Sequence, residues 1–186
     1  MTVLFIIITL FWIGEFMFFP SSKKEERSKE KTFRAILITI LFILTTNALM
    51  FWFDFLLIKS VYLQATALVM YSIGIILRYW SSFLLGQNFS RDVEVSKNQE
   101  LISNGPYRYM RHPLYTGLFL LTIAVPLFVG NIAVFLLAIL LMYNMLNRRI
   151  LEEERFMEEV LGARYVRWKN ERYKFVPFVQ QKIQVK

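Results

Sequence analysis

The chain contains no cysteine, which excludes a disulfide framework, a thiol nucleophile and cysteine-based metal sites. It carries a single histidine, and no metal site is expected. There is no Gly-x-Gly-x-x-Gly motif, so a Rossmann-type nucleotide-binding domain is not supported. Acidic residues are few, 14 against 22 Lys and Arg, which leaves a formal net charge of +8. Such a charge suits either nucleic acid or a membrane surface, and its distribution along the chain decides between them.

Apolar residues are what the chain has in excess. Of its 186 residues, 56% are hydrophobic and 17% are aromatic, and the mean hydropathy is +0.43. A soluble domain of this length can bury a core, but it seldom carries so large an apolar fraction. The composition therefore indicates a membrane protein.

Five apolar segments are long enough to span, or nearly span, a bilayer core of roughly 30 Å. Because a segment in lipid must satisfy its own backbone hydrogen bonds, each is expected to be a helix. The last two are short and are joined only by Gly130-Asn131, which predicts a tight helical hairpin. The first has no basic leader and no small-residue cleavage pattern, which disfavours a signal peptide. The segments are approximately Val3–Phe19, Phe33–Phe53, Val61–Leu85, Leu114–Val129 and Ile132–Leu146.

The basic residues outside these segments predict the orientation. They cluster in the connections after the first and third segments and in the tail, where ten lie between Arg148 and Lys186, whereas the opposite side has only Lys59. We therefore expect an all-α integral membrane protein of about five transmembrane helices with a cytoplasmic C-terminal helical segment. It would lie in the cell membrane with its N-terminus outside and its C-terminus in the cytoplasm, and its charge needs no nucleic-acid partner. The basic residues of the two connections are Lys23, Lys24, Arg27, Lys29, Lys31, Arg91, Lys97, Arg108 and Arg111.

Residues 104–117 join a polar connection to the fourth apolar segment and hold the only histidine, His112. Asn104-Gly105-Pro106 has the residues of a turn, because glycine accepts positive φ and proline fixes its own. Pro113 is well placed in a first helical turn, whose free N–H groups suit anionic or lone-pair groups beside His112. Gly117, one turn later, would let a ligand approach the backbone closely. The run therefore predicts a site where membrane meets water.

The polar piece after the fifth segment, residues 147–186, opens with a charged run. Arg149 and Glu153 are four residues apart, so they share one face of a helix. Taken alone, this run is also typical of a solvated helix that leaves the membrane. The later stretch from Gly162 to Pro177 is amphipathic and aromatic, and alone it could simply lie on the headgroup surface.

Arg78 falls within the third apolar segment, where a charge is costly and often functional. It lies about two turns from the cytoplasmic end of that segment, so its side chain could snorkel to the headgroups. A substrate-facing role is the other interpretation, which makes Arg78 a candidate substrate-binding residue.

Two motifs flank the predicted hairpin: Asn104-Gly105-Pro106-Tyr107 with Arg111-His112-Pro113-x-Tyr115-x-Gly117 before it, and Arg149-x-x-x-Glu153-Glu154 with Gly162-x-x-Tyr165 and Pro177 after it. They resemble the isoprenylcysteine carboxyl methyltransferase family, integral-membrane enzymes related to the phospholipid N-methyltransferases. The resemblance covers roughly residues 86–177 and is specific, because both motifs occur in the right order and spacing. The short chain is similar to the bacterial or archaeal members. The resemblance implies a methyltransferase core at 86–186, made of cofactor loop, hairpin 114–146 and cytoplasmic tail, after a three-helix membrane region at 1–85.

The resemblance also implies S-adenosylmethionine held between the loop before the fourth segment and the tail after the fifth. Arg149 matches the family arginine assigned to the substrate and is a candidate catalytic residue. Gln99 stands where the family usually has a histidine, and glutamine can still donate and accept hydrogen bonds. The positions that match the cofactor site are Gln99, Leu101, Ile102, Tyr107, His112, Pro113, Leu114, Tyr115 and Glu153.

These residue types suit methyl transfer from a sulfonium, in which alignment of donor and acceptor supplies on the order of 7–11 kcal/mol. Aromatic faces such as Tyr107 and Tyr115 can hold the sulfonium, at roughly 0.5–2 kcal/mol each. Glu153 suits the ammonium of the donor, while the guanidinium of Arg149 can fork onto an anionic acceptor. His112 either holds the cofactor or acts as the catalytic base that a phenol or enol acceptor would need.

Three functions stay open at this point. The first is an S-adenosylmethionine-dependent membrane methyltransferase that acts on a carboxylate, phenol or enol of a lipophilic small molecule or lipid. Arg149 favours an anionic acceptor, because a cationic one would be repelled. The second is a phospholipid N-methyltransferase with the same cofactor site. The third is a non-enzymatic membrane protein, such as a small transporter or assembly factor, that keeps the hairpin.

Overall fold

The computed structural model of the chain describes residues 2–9, 27–85 and 101–175. Within these ranges the chain is helical and has two isolated β-bridges but no β-strand. The all-α fold is therefore confirmed. The elements are helical residues 2–9 (α1), Arg27–Trp52 (α2), Val61–Leu85 (α3), a 3-10 helix at Gly105–Arg108, Pro113–Val129 (α4), Ile132–Leu161 (α5) and Ala163–Asn170 (α6).

Three of the described helices are long and apolar enough to cross a membrane, namely Thr32–Trp52 within α2, Val61–Leu85 and Ile132–Leu161. Helix α4 is apolar but shorter. The protein is thus a multi-pass membrane protein by the length and composition of its helices. The predicted count of five spans stays a prediction, because most of the first span, Val3–Phe19, lies outside the described residues.

Helix α5 continues well beyond Leu146, where its apolar segment was expected to end. Its buried positions recur at every fourth residue through the membrane half, and the repeat persists as Leu146, Ile150 and Glu154 in the charged half. The apolar segment ends at Leu146, but the helical period does not. The charged half is therefore a continuation of the same helix beyond the apolar segment, and it carries Arg149 and Glu153.

Helices α3 and α4 pack in backbone contact where Gly74 faces Gly117. A Cβ atom on Gly117 would lie 2.7 Å from the Gly74 carbonyl oxygen and 2.6 Å from Cγ of Arg78. Small residues at a helix crossing allow this approach in membranes. The expectation that Gly117 admits a ligand is therefore wrong: helix α3 occupies the space above it.

The hairpin between α4 and α5 turns at Gly130 and Asn131, as the sequence predicts. Gly130 has φ of +88°, and a Cβ there would come within 2.2 Å of the Ile58 carbonyl oxygen, so only glycine fits. The Asn131 side chain caps α5 by accepting a hydrogen bond from the Val134 N–H at 3.0 Å. This end of the bundle is closed, and the polar residues gather at the other end.

Candidate functional site

The run that holds the histidine forms the entrance to α4. Gly105–Arg108 is a single 3-10 turn that starts at positive φ on Gly105, and His112 and Pro113 are the N-cap and first residue of α4. The first-turn position of Pro113 is therefore as predicted. Leu114 follows it, and the Leu114 carbonyl oxygen accepts a hydrogen bond from Arg78 at 3.4 Å.

The two motifs meet at the Tyr115 hydroxyl, where Tyr115 of the first motif contacts Glu153 of the second, 38 residues later in the chain. This hydroxyl donates a hydrogen bond to Oε2 of Glu153 at 2.9 Å. Nε of Arg149 donates to the same hydroxyl at 3.4 Å, and Arg149 is only 2% exposed. The spacing of four between Arg149 and Glu153 thus brings both to one phenol at the mouth of the hairpin.

Tyr107 is buried beside this group, on the 3-10 helix. Burial, followed by the charge of Glu153, raises the pKa of Tyr107, so it stays a neutral phenol. On α3, the Ser81 hydroxyl is a hydrogen-bond neighbour of Tyr107, and the Arg78 charge lies within electrostatic reach of it. Helix α3 therefore forms one wall of the same site.

Arg78 is buried and turned toward α4. It contacts the Leu114 carbonyl and packs over Gly117. With 9% of its surface exposed, it does not extend outward as a snorkelling side chain would. Of the two interpretations of Arg78, the structure favours an inward position next to Tyr107.

Glu154 lies at the centre of a second, ionic cluster. Its Oε1 accepts from Nε of Arg111 at 2.8 Å and lies 3.1 Å from Nε2 of His112, and its Oε2 lies 3.2 Å from Nζ of Lys169. Burial opposes ionisation, but the hydrogen bond and charge of His112, with the charges of Arg111 and Lys169, lower the pKa of Glu154 to about 2. The carboxylate is therefore ionised across the physiological range.

Helix α6 and the residues after it close over the loop instead of lying flat on a headgroup surface. Tyr165 is 1% exposed, and Trp168 stacks on it and donates to Oγ of Ser103 at 3.0 Å. Arg172 donates to the Tyr107 carbonyl oxygen at 2.9 Å. Two backbone carbonyls of this segment, those of Lys169 and Arg172, accept from Arg111. The aromatic face of α6 is thus buried against the loop.

Three predicted cofactor-site residues precede the 3-10 helix. Leu101 and Ile102 are half-buried in the loop before the 3-10 helix. Gln99 lies outside the described residues. The sequence motif includes Glu154 but gives it no role of its own, and no motif includes Ser81. Thr116 lies within the first motif as an unspecified position; it is buried and donates to the Phe175 carbonyl oxygen.

The missed residues carried little local signal. Glu154 is adjacent to Glu153, and residues next to each other on a helix point about 100° apart, so the two carboxylates must face different neighbours. Ser81 and Ser82 are completely buried on α3, and the Ser81 hydroxyl is a hydrogen-bond neighbour of Tyr107. The Ser82 hydroxyl has no hydrogen-bond partner within the described residues. A hydroxyl in an apolar helix has no sequence feature that distinguishes a site residue from a packing residue.

Comparison with known proteins agrees with these motifs. The model of the isoprenylcysteine carboxyl methyltransferase (ICMT) family matches residues 65–159, which includes most of α3, the loop and the hairpin. A protein-S-isoprenylcysteine O-methyltransferase from Schizosaccharomyces pombe is 31% identical over 124 residues, 66% of this chain and 52% of that protein. The Saccharomyces cerevisiae protein of the same name is 30% identical over 96 residues, 50% of this chain and 40% of its own. This chain spans about half the length of the curated relatives that it matches.

A solved structure has the same arrangement of helices. It is described as the eukaryotic intramembrane Ras methyltransferase ICMT without a monobody, and the superposition has a TM-score of 0.66. The match covers 83% of this chain and 55% of the other at 23% identity, so it supports the fold.

Proposed function

Because the chain belongs to the isoprenylcysteine carboxyl methyltransferase family, we propose that it is an S-adenosylmethionine-dependent integral-membrane methyltransferase. Its acceptor would be an oxygen nucleophile, a carboxylate, phenol or enol, on a lipophilic small molecule or lipid. The observation that carries this proposal is the contact of Tyr115 on α4 with Arg149 and Glu153 on α5, just after the apolar part of α5 ends. That arrangement offers an anion, a cation and an aromatic ring within one group of buried and half-buried side chains.

The residues present fit the methyl donor. S-adenosylmethionine would supply a methyl group bonded to a cationic sulfur. An oxygen nucleophile would attack the methyl carbon, and the sulfur would leave in line as a neutral thioether. Tyr107 and Tyr115 would face the sulfonium, and each neutral aromatic face stabilises such a cation by roughly 0.5–2 kcal/mol. Glu153 is the carboxylate for the donor's ammonium, and Leu101 and Ile102 would provide apolar surface. The hydroxyl of Ser81 is buried beside Tyr107 and adds a polar group to this wall of the site.

Arg149 would hold and orient the acceptor. Its guanidinium is almost completely buried, and a planar fork of donors matches a carboxylate or phenolate better than an ammonium would. Alignment of acceptor and donor in a site that excludes water accounts for most of the catalysis in such a displacement. A carboxylate acceptor needs no base, whereas for a phenol or enol His112 is the nearest imidazole.

The position of the site supports a lipophilic acceptor. The group lies where the apolar part of α5 gives way to its charged half, so a molecule with a polar head and an apolar tail fits it from the bilayer. By the distribution of basic residues, we propose that this end is cytoplasmic and that the N-terminus lies outside the cell membrane. The names of the relatives specify an isoprenylcysteine acceptor. For this chain we propose the wider class of lipophilic anions.

The test is methyl transfer from labelled S-adenosylmethionine to host lipid extracts by the purified protein. Labelled products that are base-labile esters or stable ethers are expected. Methylated amines would instead identify a phospholipid N-methyltransferase. Calorimetric titration with S-adenosylmethionine accompanies the assay, and absence of binding would show that the chain is not a methyltransferase.

A further inference from the structure

Glu153 and Glu154 are adjacent, yet they belong to different groups of side chains. Glu153 contacts Tyr115 of the proposed methyl-donor site. Glu154 contacts Arg111, His112 and Lys169, and its side chain is 5% exposed. The proposed function uses the first carboxylate and leaves the second without a role.

The His112 imidazole links the two groups. Its Nε2 lies 3.1 Å from Oε1 of Glu154, while its ring is 5.7 Å, centroid to centroid, from the ring of Tyr115. Although His112 is the N-cap residue of α4, its side chain makes no capping hydrogen bond. Nδ1 is therefore not committed to the start of the helix.

The charges around Glu154 require it to remain an anion. Arg111 from the loop and Lys169 from α6 contact it directly, and Lys174 from the following segment lies within electrostatic reach. Glu158 is a second carboxylate that contacts Lys169. Tyr165, a further titratable neighbour among the described residues, is neutral because burial and then Glu154 raise its pKa. An ionised carboxylate can only accept hydrogen bonds, so the nitrogen that faces it must carry a proton.

We propose that Glu154 is a positioning residue that holds His112 in the Nε2–H tautomer and leaves Nδ1 as an unprotonated acceptor facing the methyl donor. This inference rests on the proposed function for the identity of the ligand. The ammonium and ribose hydroxyls of S-adenosylmethionine are donors, and an unprotonated Nδ1 can accept a hydrogen bond from such a group. Glu154 also contacts Lys169 of α6, so it links α6 to His112, the N-cap residue of α4.

The single histidine of the chain makes the tautomer directly measurable. The native protein is labelled with 15N-histidine, purified without a polyhistidine tag, and studied by NMR at mildly alkaline pH. We expect one protonated nitrogen assigned to Nε2 and one unprotonated nitrogen assigned to Nδ1. The opposite assignment would overturn the proposal without any variant.

Two variants separate positioning from general charge loss. Glu154→Gln presents an amide that can donate as well as accept, so both tautomers become populated, and S-adenosylmethionine binding weakens about tenfold. Glu158→Gln is the matched control, because it also removes a carboxylate from Lys169 but does not contact His112. It should retain the native spectrum and the native Kd. Equal loss of affinity in both variants, or an unchanged spectrum in Glu154→Gln, would contradict the assignment.

The outcomes also separate this inference from the proposed function. If the native protein does not bind S-adenosylmethionine, the proposed function fails, while the tautomer of the native imidazole still decides the role of Glu154. If Glu154→Gln does not fold, Lys169→Met removes one partner of Glu154 and keeps the His112 contact. That variant should then keep the Nε2–H tautomer, and loss of it would refute the proposal.

Discussion

The Tyr115 hydroxyl is the smallest unit on which the site depends. It accepts from Arg149 and donates to Glu153, so one oxygen joins the residue proposed for the acceptor to the residue proposed for the donor. Arg149 is buried, whereas Tyr115 and Glu153 are half-buried. Loss of Tyr115 would take a polar partner from the buried guanidinium, and a buried polar group without a partner costs about 1–3 kcal/mol. Substitutions here should therefore separate binding of the two substrates.

Glu153→Ala should weaken S-adenosylmethionine binding by roughly 10–100-fold, the value of a charge-assisted hydrogen bond of about 1.5–3 kcal/mol. Calorimetric titration of the purified variant measures this. Glu152→Ala is the matched control, because Glu152 is exposed and contacts Thr32 on α2 instead. Equal affinities of Glu153→Ala and the native protein would remove Glu153 from the donor site.

Arg149→Lys should retain cofactor affinity and lose turnover by roughly tenfold or more, because an ammonium cannot form the planar fork that guanidinium forms with a carboxylate. Steady-state kinetics with the acceptor identified by the lipid screen measures kcat and KM separately. Arg148→Lys, at an exposed position one residue earlier, should have native kinetics. A variant at Arg149 with native turnover would exclude it from the acceptor site.

The ionised Glu154 also predicts a pH dependence of stability. Its pKa is lowered from 4.5 to about 2, so its stabilising contribution is fully present above about pH 4.5 and is lost as the pH falls toward 2. A shift of this size corresponds to about 3 kcal/mol. Thermal unfolding in detergent between pH 6 and pH 2, with the pH range set by these two pKa values, should show a steeper decline for the native protein than for Glu154→Gln. Parallel curves would contradict the ionic cluster.

Among the elements, the crossing of α3 and α4 has the least tolerance for change. The two glycines let α3 approach until Arg78 packs over Gly117. This contact sets the distance between Arg78 and the first turn of α4, and therefore the width of the site. Arg78 also bonds the Leu114 carbonyl oxygen and lies within electrostatic reach of Tyr107, so we expect a larger side chain at the crossing to move both contacts.

Gly117→Ala should lower the free energy of unfolding by about 1–3 kcal/mol, because the added methyl overlaps backbone at 2.7 Å as well as the flexible Arg78 side chain. The thermal midpoint in detergent reports the change. Ala133→Val, at an exposed position of α5, adds carbon without a clash and should keep the native midpoint. A native midpoint for Gly117→Ala would show that the helices can separate freely.

Helix α6 is held by Arg172, which bonds the Tyr107 and Trp168 carbonyl oxygens and lies over the Trp168 ring at 4.7 Å. Arg172→Ala should loosen α6 against the loop, because the bond to the Tyr107 carbonyl oxygen is lost while the contacts of Trp168 and Lys169 remain. Limited proteolysis after Lys or Arg should then cleave the segment from 163 to 175 faster than in the native protein. Arg167→Ala, at an exposed position of α6, removes a cleavage site without releasing the helix and serves as control.

At the scale of the whole molecule, the two ends of the bundle differ in chemistry. One end is closed by the Gly130 turn against Ile58, and the other holds the charged half of α5, the loop and α6. The distribution of basic residues predicts that the second end is cytoplasmic. The absence of cysteine makes this orientation easy to measure.

Single cysteines introduced as Lys59→Cys and Arg167→Cys should label on opposite sides of intact cells. A membrane-impermeant maleimide is expected to reach the first from outside and the second only after permeabilisation. Both positions are exposed, so access depends on the side of the membrane and not on burial. The reverse labelling would invert the proposed topology.

The sequence by itself determined the helical membrane class, the start of α4 at Pro113, the hairpin turn at Gly130-Asn131 and the pairing of two motifs. These properties follow from apolar run lengths, local turn chemistry and residue spacing, which are written along the chain. Only the tertiary structure decided that Gly117 faces α3 instead of a ligand, that Arg78 turns inward, and that Glu154 rather than Glu153 contacts His112. Each of these depends on which helix lies opposite a given face, and a packing partner distant in sequence leaves no local trace.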